Sequence, residues 1–328
     1  MSSPTFTIAI PAYKAQFLHE AIQSVLGQTC ADFELVIVND ASPEDLGAIV
    51  KSYADPRIRY FVNEKNCGAV DVVDNWNHCL SHASGTYFLC MGDDDRLLPS
   101  CLADYKGLIA QHPGLGIYHA WTQIIDDQGH VVRMQEPRPE VESVYSLIWN
   151  RWKGRDQFVG DFLFDTARLK RIGGFFKLPY AWGSDDITAV MAAEPSGIAN
   201  LQVPAFQYRA HAATISESTP CDQFMQAIDL EEAWFTRFLT DHAASPVSPL
   251  TDVFRKMCVA TRAEYFSNRR QQTVANDLEA HGILRLLYWM RPRHRHGLRL
   301  SQICFCGLLS IRQAFHRRRL AKHLDCVQ

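Results

Sequence analysis

Apolar and polar positions along the first hundred residues sort into two periods. Phe6-Thr7-Ile8-Ala9-Ile10 is a short apolar run stopped by Pro11. Residues 33–38, 58–62 and 87–91 are runs of the same kind. Their length and their β-branched and aromatic content mark buried strands. Between the first two, Leu18, Ile22, Val25 and Leu26 recur at helical spacing. Ser42 as N-cap with Pro43 at the first helical position predicts a second helix, and residues 69–83 read as a third. The alternation βαβαβαβ predicts an α/β, Rossmann-like, mostly parallel sheet flanked by helices. Ligands of such sheets gather at the C-terminal strand ends. Here those ends carry Pro11-Ala12-Tyr13, Asn39-Asp40, Asn63 and Gly92-Asp93-Asp94-Asp95.

After residue 113 the pattern changes. Residues 117–121 and 131–132 read as strands around an Asp126-Asp127-Gln128-Gly129 turn, and residues 134–142 as a polar loop. Another strand at 159–164 leads to a short helix ending at Gly173-Gly174. Residues 186–193 read as a helix and 197–208 as extended. From Asp222 onward the signal is helical, broken near Pro246-Val247-Ser248-Pro249 and at 291–297. The expected organisation is a first domain at 1–219, with halves 1–113 and 114–219, and a helical region at 220–328.

Charge changes this picture at one end. From His281 onward nine Arg and one Lys face a single Asp, a balance of +9, which leaves −12 on the rest of a chain whose total is −3. A basic end on an acidic body points to an anionic surface as partner. Leu300, Cys304, Leu308, Ile311 and Phe315 fall on one helical face there. Such a stretch either lies on an anionic membrane or packs on the rest of the chain. No nucleic-acid-binding motif accompanies the Arg cluster, so nucleic acid is not an expected partner. No basic-then-apolar leader precedes Pro4-Thr5-Phe6, and no apolar run has the length of a membrane span. The ten Cys include no CxxC pair, so neither a zinc site nor a redox dithiol is expected. A reducing cytoplasm, with peripheral attachment to the inner membrane face, is the expected location.

Three adjacent Asp at a strand edge repel one another and are at ease only beside water or a cation. Oxygen-only ligands suit Mg2+ or Mn2+ shared with a substrate phosphate. Neither a Walker phosphate loop nor a GxGxxG fingerprint is present, which argues against a P-loop kinase and a dehydrogenase.

Ordered motifs carry a resemblance. Thr7-Ile8-Ala9-Ile10-Pro11-Ala12-Tyr13, residues 21–29, residues 34–42, Asn66-Cys67-Gly68, Asn75-Trp76-Asn77, Gly85-Thr86-Tyr87 and residues 94–99 follow in sequence. Together they resemble family 2 glycosyltransferases over about residues 5–215. The resemblance implies a GT-A fold with a C-terminal helical extension, a nucleotide-sugar donor and inverting transfer to a saccharide or lipid-linked acceptor. The context it suggests is synthesis of a bacterial surface polysaccharide or lipopolysaccharide. It would place Pro11, Ala12, Tyr13, Asn66 and Gly68 around the nucleotide. Asp40 would accept a hydrogen bond from the base, most naturally uracil. Asp93 would contact ribose or metal, Asp94 and Asp95 the Mn2+ or Mg2+ diphosphate, and His211 would add a metal or diphosphate contact.

Gly92 stands where the family commonly has the first Asp of its cluster, and Asp74 where it often has a basic residue. Gly183-Ser184-Asp185-Asp186 resembles the later acidic motif, which makes Asp186 the general base, ionised at a helix N-terminus. Trp182 beside it is a candidate for stacking on the acceptor, and Asp161 a further candidate in the acceptor wall. The alternatives are a nucleotidyltransferase and a catalytically silent protein that binds sugar nucleotides or membrane.

Overall fold

The computed structural model describes residues 3–210, 220–241 and 248–325, with side chains of the final helix described as far as Arg312. The chain packs as two compact units, residues 1–218 with 246–255, and residues 219–245 with 256–328.

The first unit is built on one sheet. Strands β1 (Phe6–Ala12), β2 (Phe33–Asn39), β3 (Ile58–Val62) and β4 (Tyr87–Cys90) pair in parallel in the order β3-β2-β1-β4. The sheet then becomes mixed. β9 (Phe162–Asp165) lies antiparallel to both β4 and β6 (Ile117–Ile125). β10 (Ile198–Arg209) runs parallel to β6, and β5 (Arg96–Leu97) closes the row antiparallel to β10. Short strands β7 (Val131–Met134) and β8 (Val141–Glu142) pair with β6 and β10.

The inner strands are apolar on both faces because both faces are covered. On one face Phe6, Ile8, Ile10, Leu35 and Ile37 pack with helices α1 (Leu18–Leu26) and α4 (Cys101–Gln111). On the other, Phe175 meets Phe88, Phe164 and Trp76, the last from helix α3 (Val72–Ser81).

Two local expectations are corrected. β1 does not stop at Pro11 but continues to Ala12, with Pro11 opposite Val38. The missing proline N–H is harmless there because it faces the β4 side, where pairing has ended at Ala9 and Cys90. The second helix, α2 (Leu46–Lys51), starts later than Ser42-Pro43, and its N-cap is Asp45, whose carboxylate accepts from Ala48 N at 3.0 Å. Ser42 is used elsewhere, its Oγ donating to the Tyr13 carbonyl at 2.6 Å. Helices α4 and α5 (Val144–Trp152) fall in segments that the periodicity left unassigned. Helices α6 (Thr166–Arg171) and α7 (Ser184–Ala193) complete the unit apart from residues 246–255.

The second unit is helical. It contains helix α8 (Cys221–Asp241), part of α9 (Pro249–His281), the short α10 (Leu286–Trp289) and α11 (Leu300–Asp325). Its interior gathers Met225, Val274, Ala275, Leu278, Trp289, Leu298, Ile303 and Cys306.

Candidate active site

The C-terminal ends of β1, β2 and β4 bring together three of the expected segments. Asp40 follows β2 and is buried. Its carboxylate accepts from Asn63 Nδ2 at 2.8 Å and from Cys67 N at 3.0 and 3.1 Å. Gly68 has φ of 74°, a left-handed turn that suits glycine, in the Asn66-Cys67-Gly68 loop. Burial, then the Asp40 carboxylate, pushes the Cys67 thiol up to about 12. Ala12 is buried, Pro11 is half-buried and Tyr13 is exposed.

The acidic triplet is tied into two different parts of the fold. Asp93 Oδ2 accepts from the backbone N–H groups of Tyr13 and Lys14, each at 2.7 Å. That clamp holds the end of the β1 segment against the triplet. Asp95 turns inward instead: Oδ1 accepts from Arg209 N at 3.0 Å and Oδ2 from Gly92 N at 3.2 Å. Burial, reinforced by the Asp94 charge, pushes Asp93 up to about 6 and raises Asp95 well above the usual carboxylate range.

The glycine at position 92 has a steric reason. A Cβ built there would lie 2.5 Å from Asp94 Oδ1 and 3.0 Å from Asp95 Oδ2. The two carboxylates fold over the space that a side chain would need.

Arg209 organises this corner, a role that the Tyr208-Arg209-Ala210-His211 motif, which resembles the family's site-closing segment, did not by itself assign to it. It is fully buried. Its Nε donates to the Asp94 carbonyl at 2.8 Å, and its other nitrogens to the Asp126 and Asp127 carbonyls at 3.1 Å and to Glu20 Oε2 at 2.7 Å. Its guanidinium lies 4.0 Å from the centre of the Phe17 ring.

The later acidic pair opens α7, after Gly183 at φ of 89°. Asp186 is buried, and Arg151 Nε from α5 donates to both of its oxygens at 2.8 and 3.0 Å. Gln157 Nε2 adds a third bond at 2.8 Å. Asp185 is only half-buried by exposed area. Desolvation, followed by the Asp186 charge, pushes its pKa up to about 8 against the opposing pull of Arg151. The helix N-terminus does not outweigh these effects. Arg151 and Gln157 were missed because their segment, 134–160, carries no sequence signature.

Tyr208 links the two acidic regions. Its ring stacks on Phe158 with centroids 3.8 Å apart. Burial raises its pKa, and the charges of Asp95, Asp94 and Asp185 all add to the rise. Asp161 is fully buried and engaged by Thr122 Oγ1 at 2.5 Å, Gln135 Nε2 at 2.7 Å and Phe158 N at 2.8 Å. It braces the loop before β9 and is too enclosed to meet an acceptor. Trp182 is half-buried. At Asp74, where the resembled family often has a basic residue, Lys177 Nζ sits 2.6 Å from the carboxylate and 2.9 Å from that of Asp71. His211 lies outside the described residues.

Among the described residues no three His, Cys, Asp or Glu side chains form a group that could hold a metal ion by themselves. The donor chemistry still fits a hard divalent cation shared with a substrate. Asp94 lies in a field of like charge that raises both of its neighbours, a field that a cation would relieve.

A half-parallel, half-mixed sheet with acidic residues at its strand ends defines a GT-A fold. The fold matches the S. aureus TarS 1-349 crystal structure in complex with UDP-GlcNAc at a TM-score of 0.62 and 16% identity, covering 95% of this chain and 92% of that one. Residues 7–173 match the model of glycosyl transferase family 2, and the chain belongs to that family. An uncharacterized glycosyltransferase of Rickettsia typhi is 30% identical over 138 residues, 41% of this chain and 42% of the relative. One of Methanocaldococcus jannaschii is 28% identical over 143 residues, 42% and 48% of the two chains. The matches thus span less than half the length of either relative.

Proposed function

We propose that this chain transfers a sugar from a nucleoside diphosphate, with UDP as the nucleotide, to a hydroxyl of a saccharide or lipid-linked acceptor, with inversion at the anomeric carbon. The observation that carries the reading is that a GT-A sheet carries two separate acidic groups, the Asp93–Asp95 triplet after β4 and Asp185 at the start of α7. One group suits the donor diphosphate and the other the acceptor. The UDP-GlcNAc in the TarS structure makes UDP-sugars the first donors to test.

Each residue has a task in this reading. Pro11, Ala12 and Tyr13 line the base and ribose, with Asn66 and Gly68 at the rim. Asp40 accepts from the base. A carboxylate has about four acceptor sites, so the bonds from Asn63 and Cys67 leave room for one more donor. Asp93 anchors the Tyr13-Lys14 backbone and faces the ribose. Asp94 holds the cation, while Asp95, committed to two backbone N–H groups, shapes the loop. A bound Mn2+ or Mg2+ would screen the diphosphate charge, so that the leaving group needs no general acid.

The general base is Asp185 rather than Asp186. Asp186 is buried and holds three hydrogen bonds from the cationic Arg151 and from Gln157, whereas Asp185 is half open and its raised pKa suits proton abstraction near neutral pH. Asp186 then anchors the start of α7 as a positioning residue. Attack by the acceptor opposite the diphosphate is an in-line displacement.

A panel of nucleotide sugars with Mn2+ or Mg2+ tests the reading. A nucleoside diphosphate should raise the melting temperature, and one sugar donor should be consumed. Asp185→Asn should keep donor binding and lose transfer, and Asp94→Ala should lose the cation-dependent part of binding. Absence of stabilisation by every nucleoside diphosphate would sink the donor assignment. A product with retained anomeric configuration would exclude direct displacement.

A further inference from the structure

The second unit presents an apolar surface that its own packing does not use. Helix α11 turns Ile303, Cys306 and Ser310 inward, all nearly inaccessible. Its opposite side exposes Leu300 at 47%, Phe305 at 50%, Leu308 at 67% and Ile311 at 47%, with Cys304 also exposed. The segment before it does the same, with Leu284 at 80% and Leu287 at 68%. The two stretches meet at Gly307, where a Cβ would touch Leu286 and Ile283 at 3.2 and 3.3 Å. Isolated exposed apolar side chains are ordinary, but a contiguous group of this kind marks a binding surface.

The surrounding charge selects the partner. Arg291, Arg295, Arg299 and Arg312 are exposed in the same stretch of chain, Arg291 beside Leu287. No Asp or Glu occurs between Glu279 and Asp325. Among the described side chains of this stretch, Arg285 is paired with Asp277 at 3.0 Å, and His281 and His296 lie 2.9 and 2.8 Å from Asp277 and Asp229. A second copy of the chain is a poor occupant, because a symmetric pairing would set Arg against Arg. Nucleic acid offers phosphates but little to match exposed leucines. An anionic bilayer offers both an apolar layer and phosphates above it. Among the described residues no helix is long and apolar enough to cross a membrane, so the contact would be with one face of the bilayer.

We propose that this surface docks on an anionic lipid bilayer. Leu284, Leu287, Phe305 and Leu308 enter the acyl boundary, and Arg291, Arg295, Arg299 and Arg312 sit at the level of the phosphates. Each basic residue near such a surface contributes roughly fivefold to partitioning. The proposal rests on the second unit alone, so it stands or falls separately from the transfer reaction.

The test is co-sedimentation of the full chain with vesicles of phosphatidylcholine, and of phosphatidylcholine mixed with phosphatidylglycerol. Binding is expected only with the mixed vesicles, and it should weaken with salt. Leu284→Glu with Leu308→Glu should lower partitioning by roughly tenfold or more, as should Arg291→Gln with Arg295→Gln and Arg299→Gln. An unchanged helical circular dichroism spectrum and melting temperature would show that each variant is folded. Equal binding to neutral vesicles, or vesicle binding indifferent to both variants, overturns the proposal. A shift from dimer to monomer in the leucine variant, with vesicle binding unchanged, would assign the surface to a second copy instead.

Discussion

Asp185 and Asp186 are chemically alike and adjacent, yet the fold gives them opposite surroundings. Successive residues of a helix point about 100° apart, so only one of the pair can turn into the Arg151 and Gln157 donors. The other is left beside the cleft with its charge poorly solvated and a carboxylate next to it. This makes a pH prediction. The base form of Asp185 grows as pH rises through its raised pKa, so transfer should increase with pH and level off above about 8. Asp186→Asn removes the neighbouring negative charge and releases Arg151 from it, and both changes favour ionised Asp185. The acid limb of the profile should therefore move to lower pH, by about one unit. A purely structural Asp186 would lower activity without moving that limb, which pH–rate profiles of the two proteins distinguish.

At the scale of elements, caps and strand ends decide where chemistry is placed. α2 begins at Asp45, not at Ser42, and this frees Ser42 to hold the Tyr13 carbonyl beside the triplet. Asp45→Ala should lower stability by about 1 kcal/mol in denaturant unfolding. Ser42→Ala should leave the helix capped and act on nucleotide affinity instead. An equal stability loss from both variants would contradict this division. The parallel strands were legible because a strand buried on both faces is a continuous apolar run. α5 was not: Val144-Tyr145-Ser146-Leu147-Ile148-Trp149 mixes β-branched, aromatic and polar residues, and a short segment of that kind has no decisive period. With α5 went Arg151, the partner that fixes Asp186.

For the whole molecule, function and stability pull against each other at the triplet. Burial and mutual repulsion hold Asp93 and Asp95 above their ordinary range with no cation present. Asp94→Asn should therefore raise the stability of the metal-free protein, by on the order of 1 kcal/mol, and, on the proposed function, should abolish the stabilisation expected from Mn2+ and nucleotide together. Calorimetry with and without both ligands would show it; an equal cation response in the variant would move the metal elsewhere.

The same division of charge recurs across the chain. The acidic balance falls on residues 1–280, whose strand ends carry the site, and the basic balance on the end that presents exposed leucines. The sequence alone determined the strands of the first half and their mostly parallel pairing, the strand edge that bears the acids, the family, and a helical face from Leu300 to Ile311. Those follow from periodicity and from motifs whose residues lie close together in the chain. Only the tertiary structure decided that Asp95 and Asp186 turn inward, that Arg209 and Arg151 hold them, and that the Leu300–Ile311 face is open rather than packed. Each of those outcomes depends on a partner more than thirty residues away or, among the described residues, on the absence of one, and local pattern carries no information about either.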